Sequence, residues 1–115
     1  MCGIAGILLT SAAANTKPLE AISQLTHALR HRGPDGEGLW TDREAGIALG
    51  HRRLAIVDLS AAGRQPMRSA GGRYVITFNG EIYNFKELRR ELEEAGHQFR
   101  GTGDTEVMLC AIETW

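Results

Sequence analysis

Cys2 follows directly on Met1, and its side chain is small enough for Met1 to be removed, which would place a thiol and a free α-amine on one residue. A terminal amine titrates near about 7.7 to 8.0, so part of it is unprotonated at neutrality and can take the thiol proton. Nucleophile and base would then come together. Position alone favours the plainer reading, a small apolar residue that opens a strand.

Asn79-Gly80 stands between the strand-like RYVITF and EIY. As local chemistry it suits a type I′ hairpin turn, whose two central residues need positive φ. Presented together at a strand end, an Asn amide and a Gly N–H can also donate two hydrogen bonds to a developing oxyanion. Arg53 and Asp104 carry a second possible pair of roles. A free amino acid needs a cation for its carboxylate and an anion for its ammonium, and Arg grips a carboxylate through two parallel bonds. The plainer alternatives are a solvated charge at a strand edge for Arg53 and a helix N-cap for Asp104.

Other combinations carry less. His27 and His31 lie four apart on a predicted helix but lack an acidic partner, and neither His51 nor Cys110 stands at a metal-ligand spacing, so no metal site is expected. GPDGEG lacks the Lys-Ser/Thr ending of a phosphate loop and reads as a turn built for close backbone packing.

The elements that must position these residues follow from the patterning. Gly3 to Leu9 predicts a short buried strand, and residues 10–16 a loop of small polar residues. Pro18 fits the first turn of a helix with Leu19, Ile22, Leu25 and Leu29 on one face, ended by HRGPDGEG. Strands are expected at Ala45 to Gly50, Leu54 to Asp58 and Arg73 to Phe78, with Glu81 to Tyr83 as a returning strand. The second helix has the fullest punctuation: Asn84 as N-cap, Glu87 three residues on, a stripe of Phe85, Leu88, Leu92 and Ala95, then Gly96 as the stop. A third helix begins after Asp104, with Val107, Met108, Ala111, Ile112 and Trp115 on one side. This order implies an α+β fold with antiparallel pairing. Because the last helix has no cap before the chain stops, the sequence reads as the first part of a longer domain, with exposed apolar surface and open strand edges that favour a homo-oligomer.

Composition sets the outer limits. The 115 residues carry 13 Lys or Arg against 14 Asp or Glu, a net charge of -1, which argues against a nucleic-acid binder or a polybasic membrane anchor. An apolar content of 43% with 23% charge suits one globular core. Two cysteines make no disulfide framework, so a reducing, cytoplasmic setting is expected. The start is no signal peptide: no Lys or Arg precedes the apolar stretch Ile4 to Leu9, which is short and interrupted by Gly6. No segment approaches the length of a membrane span.

Taken in order, MCGIAGI at 1–7, RHRGPDGEG at 30–38, GHRRLAIVDLS at 50–60, GRQPM at 63–67, FNGEIYNFKELRREL at 78–92 and GTGDTEV at 101–107 resemble the N-terminal glutaminase domain of the class II glutamine amidotransferases. That family has an N-terminal-nucleophile hydrolase fold, a sandwich of antiparallel sheets flanked by helices, here incomplete. RHRGPDG, RLAIVD, GRQPM and NGEIYN lean toward its asparagine synthetase branch. The resemblance implies Cys2 as nucleophile, Asn79 and Gly80 as the oxyanion hole, and Arg53 and Asp104 on the carboxylate and ammonium of glutamine. The backbone around Ile56 and Val57, with Glu81, would complete the glutamine pocket. Residues 1–115 would form the N-terminal part of the amidotransferase domain. A synthetase domain using ATP, magnesium and aspartate would lie outside them, since nothing here resembles its SGG-x-DS loop. An amidotransferase acting on another acceptor, or a non-catalytic remnant that binds glutamine or a partner chain, is the alternative.

Overall fold

The computed structural model describes residues 1–10, 17–56 and 58–115. The order is β1 (Gly3–Leu8), α1 (Lys17–Ala28), β2 (Gly36–Asp42), β3 (Ile47–Arg53), a 3₁₀ turn (Ala61–Gly63), β4 (Met67–Arg68), β5 (Val75–Ile76), α2 (Phe85–Glu94) and α3 (Asp104–Thr114). The fold is α+β, and every strand pair is antiparallel. Most of the loop expected over 10–16 lies outside the described residues. No helix among the described residues is long and apolar enough to cross a membrane.

β3 is the centre of a three-stranded sheet, with β1 and β2 on its two sides. Its last residues pair Arg52 with Gly3 and Arg53 with Gly36. Beyond Arg53 neither neighbour offers more backbone, and side chains take over. The Leu54 N–H donates to the Cys2 sulfur at 3.3 Å, and the Ala55 N–H donates to Asp35 Oδ2 at 2.9 Å. This is why the described residues 54–56 and 58 of the strand expected over Leu54 to Asp58 are not strand: the ladder ends, and the strand begun near Ala45 runs on to Arg53 instead.

β2 corrects the turn reading of HRGPDGEG, because its second half is strand. Gly38 lies in β2 so close to the passing Gln65 carbonyl that a Cβ there would collide with it. The glycines serve close packing in an extended strand. A tight turn does follow at residues 43–46, where Asp42 Oδ1 accepts the Ala45 N–H at 2.9 Å and Gly46 has φ +69°.

α1 covers one face of this sheet, with Leu19, Ile22 and Ala48 forming the buried cluster and Ala5, Ile7 and Leu9 packed around it. Leu25 does not join the expected stripe. It is 46% exposed, and the fully buried Thr26 takes its place, its hydroxyl donating back to the Ile22 carbonyl at 2.7 Å. β1 is an edge strand covered on one face only, so Ile4 and Leu8 point outward and the strand is not buried as a whole.

α2 ends as its sequence demands. The His97 N–H donates to the Leu92 carbonyl and the Gly96 N–H to that of Glu93, with Gly96 at φ +96°, a Schellman closure. Asn84 holds the N-cap position without a side-chain cap bond, and Ala95 is exposed. α3 buries Val107 and Leu109, while Ile112 and Trp115 stay exposed, so its apolar stripe is rotated from the expected one. Residues flanking β4 bond to this helix: Gln65 Nε2 donates to the Thr105 hydroxyl at 3.2 Å and the Ser69 hydroxyl donates to Glu113 at 2.8 Å.

Candidate active site

The end of β3, the start of β1, the segment after β5 and the start of α3 converge on one cleft of about 360 Å³. Cys2, Arg53, Ile56, Asn79, Gly80, Glu81 and Asp104 all line it. Val57 lies outside the described residues.

Cys2 stands one residue before β1, and its half-buried sulfur is fixed against Leu54, accepting the N–H at 3.3 Å and lying 3.6 Å from the carbonyl. Met1 is largely exposed at the cleft, and while it precedes Cys2 the Cys2 nitrogen is a peptide nitrogen that carries no basic lone pair.

The two consecutive arginines divide. Arg52 points to the α1 side of the sheet, where it is buried, pairs with Glu37 Oε2 at 2.6 Å and donates to the Gly33 carbonyl at 3.0 Å. Arg53, on the opposite face, reaches the cleft and donates from Nη1 to the Ser60 carbonyl at 2.8 Å. One cation is structural and the other faces a ligand-sized space.

Neither Asn79 nor Gly80 has positive φ, so the type I′ turn is excluded, and β5 pairs with β4 rather than with a strand at Glu81 to Tyr83. The segment is held from both sides instead. Gln65 Oε1 accepts the Phe78 N–H at 2.6 Å, and Asp104 Oδ2 accepts the Ile82 N–H at 3.0 Å. Gly80 lies under the Phe78 ring, which a Cβ would strike. Asp104 is therefore no N-cap. Gly103 occupies that position without a side-chain cap, and the Asp104 carboxylate turns from its own helix to the neighbouring segment.

Three residues at the cleft carry no role in the sequence reading. Gln65 lies in GRQPM and bridges Phe78 to Thr105. Asp58 is buried and accepts the Ser60 N–H at 2.7 Å and the Thr102 N–H at 2.9 Å. The Ser60 hydroxyl, with these main-chain donors and the Arg53 charge, holds its carboxyl below the usual carboxylate range against the opposing effect of burial. His51 is 1% exposed, and its Nε2 has no hydrogen-bond partner among the described residues. Burial lowers its pKa, and the nearby Arg53 charge adds to this against a main-chain interaction with Phe78. Its signal was the strand period: His51 is two residues from Arg53 and shares its face.

The cleft thus brings a thiol, a cation, an anion and an amide side chain around one space of about 360 Å³. Residues 1–115 match the profile of the glutamine amidotransferase domain. The chain is 40% identical, over 117 aligned residues, to asparagine synthetase [glutamine-hydrolyzing] 3 of Bacillus subtilis (strain 168), covering 100% of this chain and 18% of that protein. It is 44% identical to asparagine synthetase [glutamine-hydrolyzing] 1 of the same organism, over 96% of this chain and 17% of the relative. With asparagine synthetase [glutamine-hydrolyzing] 1 of Arabidopsis thaliana it shares 42% identity over 100% of this chain and 19% of the plant protein. The chain spans less than a fifth of the length of these relatives. It belongs to the glutamine amidotransferase domain family.

Proposed function

We propose that these residues form the glutamine-hydrolysing site of a cytoplasmic asparagine-synthesising amidotransferase. The observation that carries the reading is the convergence of Cys2, Arg53, Asn79, Gly80 and Asp104 on one cleft. Arg53 and Asp104 take the α-carboxylate and α-ammonium of glutamine, with Ile56 and Glu81 at the sides. After Met1 is removed, the Cys2 amine accepts the thiol proton and the thiolate attacks the side-chain amide carbon. Asn79 and the Gly80 N–H stabilise the oxyanion. The carbon–nitrogen bond then breaks, and the amine returns the proton to the departing ammonia. Water, deprotonated by the same amine, hydrolyses the γ-glutamyl thioester and frees glutamate and the thiol.

The ammonia serves amidation of aspartate, and activation of that acceptor with ATP and magnesium belongs to sequence outside these residues. The test is glutamine hydrolysis and ammonia-dependent asparagine formation in the full-length protein with and without Cys2. Loss of the first with retention of the second in Cys2→Ser is the expected result. Glutaminase turnover at the parent rate in that variant would overturn the reading.

A further inference from the structure

Asp58 touches two loops at once. One oxygen accepts the Ser60 N–H at 2.7 Å and the other accepts the Thr102 N–H at 2.9 Å, and the residue is only 6% exposed. Each loop leads to one of the two charges in the cleft. Ser60 returns its carbonyl to Arg53 Nη1 at 2.8 Å, and Thr102 lies two residues before Asp104. The second loop lies flat on the carboxylate, since a Cβ at Gly101 would press on Asp58 Oδ2. On its far side that loop is pinned as well: Glu106 accepts the Arg100 and Gly101 N–H groups at 2.9 and 2.8 Å, and Arg89 donates to the Gly101 carbonyl at 2.8 Å. Asp58 is therefore the cleft-side half of a clamp on the loop that carries Asp104.

We propose that Asp58 is a positioning residue that fixes the separation between Arg53 and Asp104, and so sets the site's preference for a ligand bearing carboxylate and ammonium on one carbon. The inference rests on the glutamine reading above. Two charges on one carbon have a fixed spacing, so a small error in the separation of their grips weakens both contacts together. A carboxylate suits the task because both its oxygens accept, so it can hold two facing N–H groups. An amide cannot, because its NH₂ end would face one of the two N–H donors.

The experiment is steady-state glutamine hydrolysis by the full-length protein carrying Asp58→Asn. KM for glutamine should rise about tenfold or more, the loss expected for one hydrogen bond to a charged group, while kcat stays within about twofold. Competing ligands supply a readout that a merely structural role would not move. Glutaramate lacks the α-ammonium and 4-aminobutanamide lacks the α-carboxylate, so each uses one grip and is indifferent to the spacing. Their inhibition constants against glutamine hydrolysis should change little between parent and Asp58→Asn. Ser60→Ala, which keeps both main-chain bonds to Asp58 and removes the hydroxyl that also accepts the Ala62 N–H at 3.1 Å, should shift KM in the same direction by less. Amide hydrogen exchange at Thr102 should quicken in Asp58→Asn.

Equal weakening of all three ligands, or an unchanged KM for glutamine, would overturn the proposal. Arg53→Ala, measured alongside, separates the two levels. If Arg53→Ala leaves KM unchanged, the glutamine reading falls and takes this inference with it. If Arg53→Ala raises KM and Asp58→Asn does not, only the spacing role falls.

Discussion

Asp104 Oδ2 accepts the Ile82 main-chain N–H at 3.0 Å, so the carboxylate assigned to the substrate ammonium also anchors the segment that carries Asn79 and Gly80. A purely ground-state contact would move KM alone, whereas an anchor for an oxyanion donor also moves kcat. Asp104→Ala removes both functions and should raise KM for glutamine and lower kcat by about tenfold each, the scale of one bond to a charged group. Asp104→Asn keeps an oxygen for Ile82 and loses the charge, so its defect should lie in KM. Equal kcat values for the two variants and the parent would show that the Ile82 bond does not support the transition state.

Met1 caps the nitrogen that the mechanism uses as base, and its exposure leaves it open to removal. Intact-mass measurement of the active protein should find it lighter by one methionine. A protein that retains Met1 should have a thiol but little turnover. Full hydrolysis by the Met1-bearing form would mean that another group takes the Cys2 proton.

Asn79 and Arg53 should fail in different kinetic terms. Loss of one oxyanion donor costs about 10²–10³ in kcat, so Asn79→Ala should show that fall with a modest change in KM. Arg53→Ala loses a contact present in ground and transition states alike, and KM should carry most of the change. Should Asn79→Ala instead raise KM at constant kcat, the amide binds substrate and does not serve the oxyanion.

What the sequence made legible was whatever is local. α2 needed only its own periodicity and Gly96, and its Schellman closure followed. The residues proposed for the site were picked out by ordered motifs, and seven of them line one cleft. What stayed hidden was set by neighbours remote in sequence. Leu54 to Asp58 looks like a strand, but Leu54 already finds no ladder, because β1 begins at Gly3 and the Cys2 sulfur stands in its place. Gly36 and Gly38 look like a turn, yet both lie in β2, and the close passage of Gln65 leaves no room for a Cβ at Gly38. Asn79-Gly80 carries strong hairpin chemistry, and the bonds from Gln65 and Asp104 hold it in another conformation. Asp58 and Gln65 act through main-chain N–H groups 44 and 13 residues away, which no local pattern encodes.

His51 should make stability depend on pH. Burial sets its folded pKa below the ordinary 6.5, and its Nε2 has no hydrogen-bond partner among the described residues. As pH falls through 6.5 the unfolded chain takes up a proton before the folded one does. The stabilising contribution is therefore complete above 6.5 and is lost as pH falls toward the lowered folded value, by at most about 1.4 kcal/mol per pH unit for one proton. Below the folded value both states are protonated and the slope ends. Urea denaturation of the full-length protein at pH 7.5, 6.5 and 5.5 should show this fall, and His51→Gln, which cannot titrate, should flatten that part of the profile. The difference between the two proteins isolates His51 from the other histidines. Parallel profiles for parent and variant would place the titration elsewhere and leave His51 a packing residue between the sheet and the Phe78 segment.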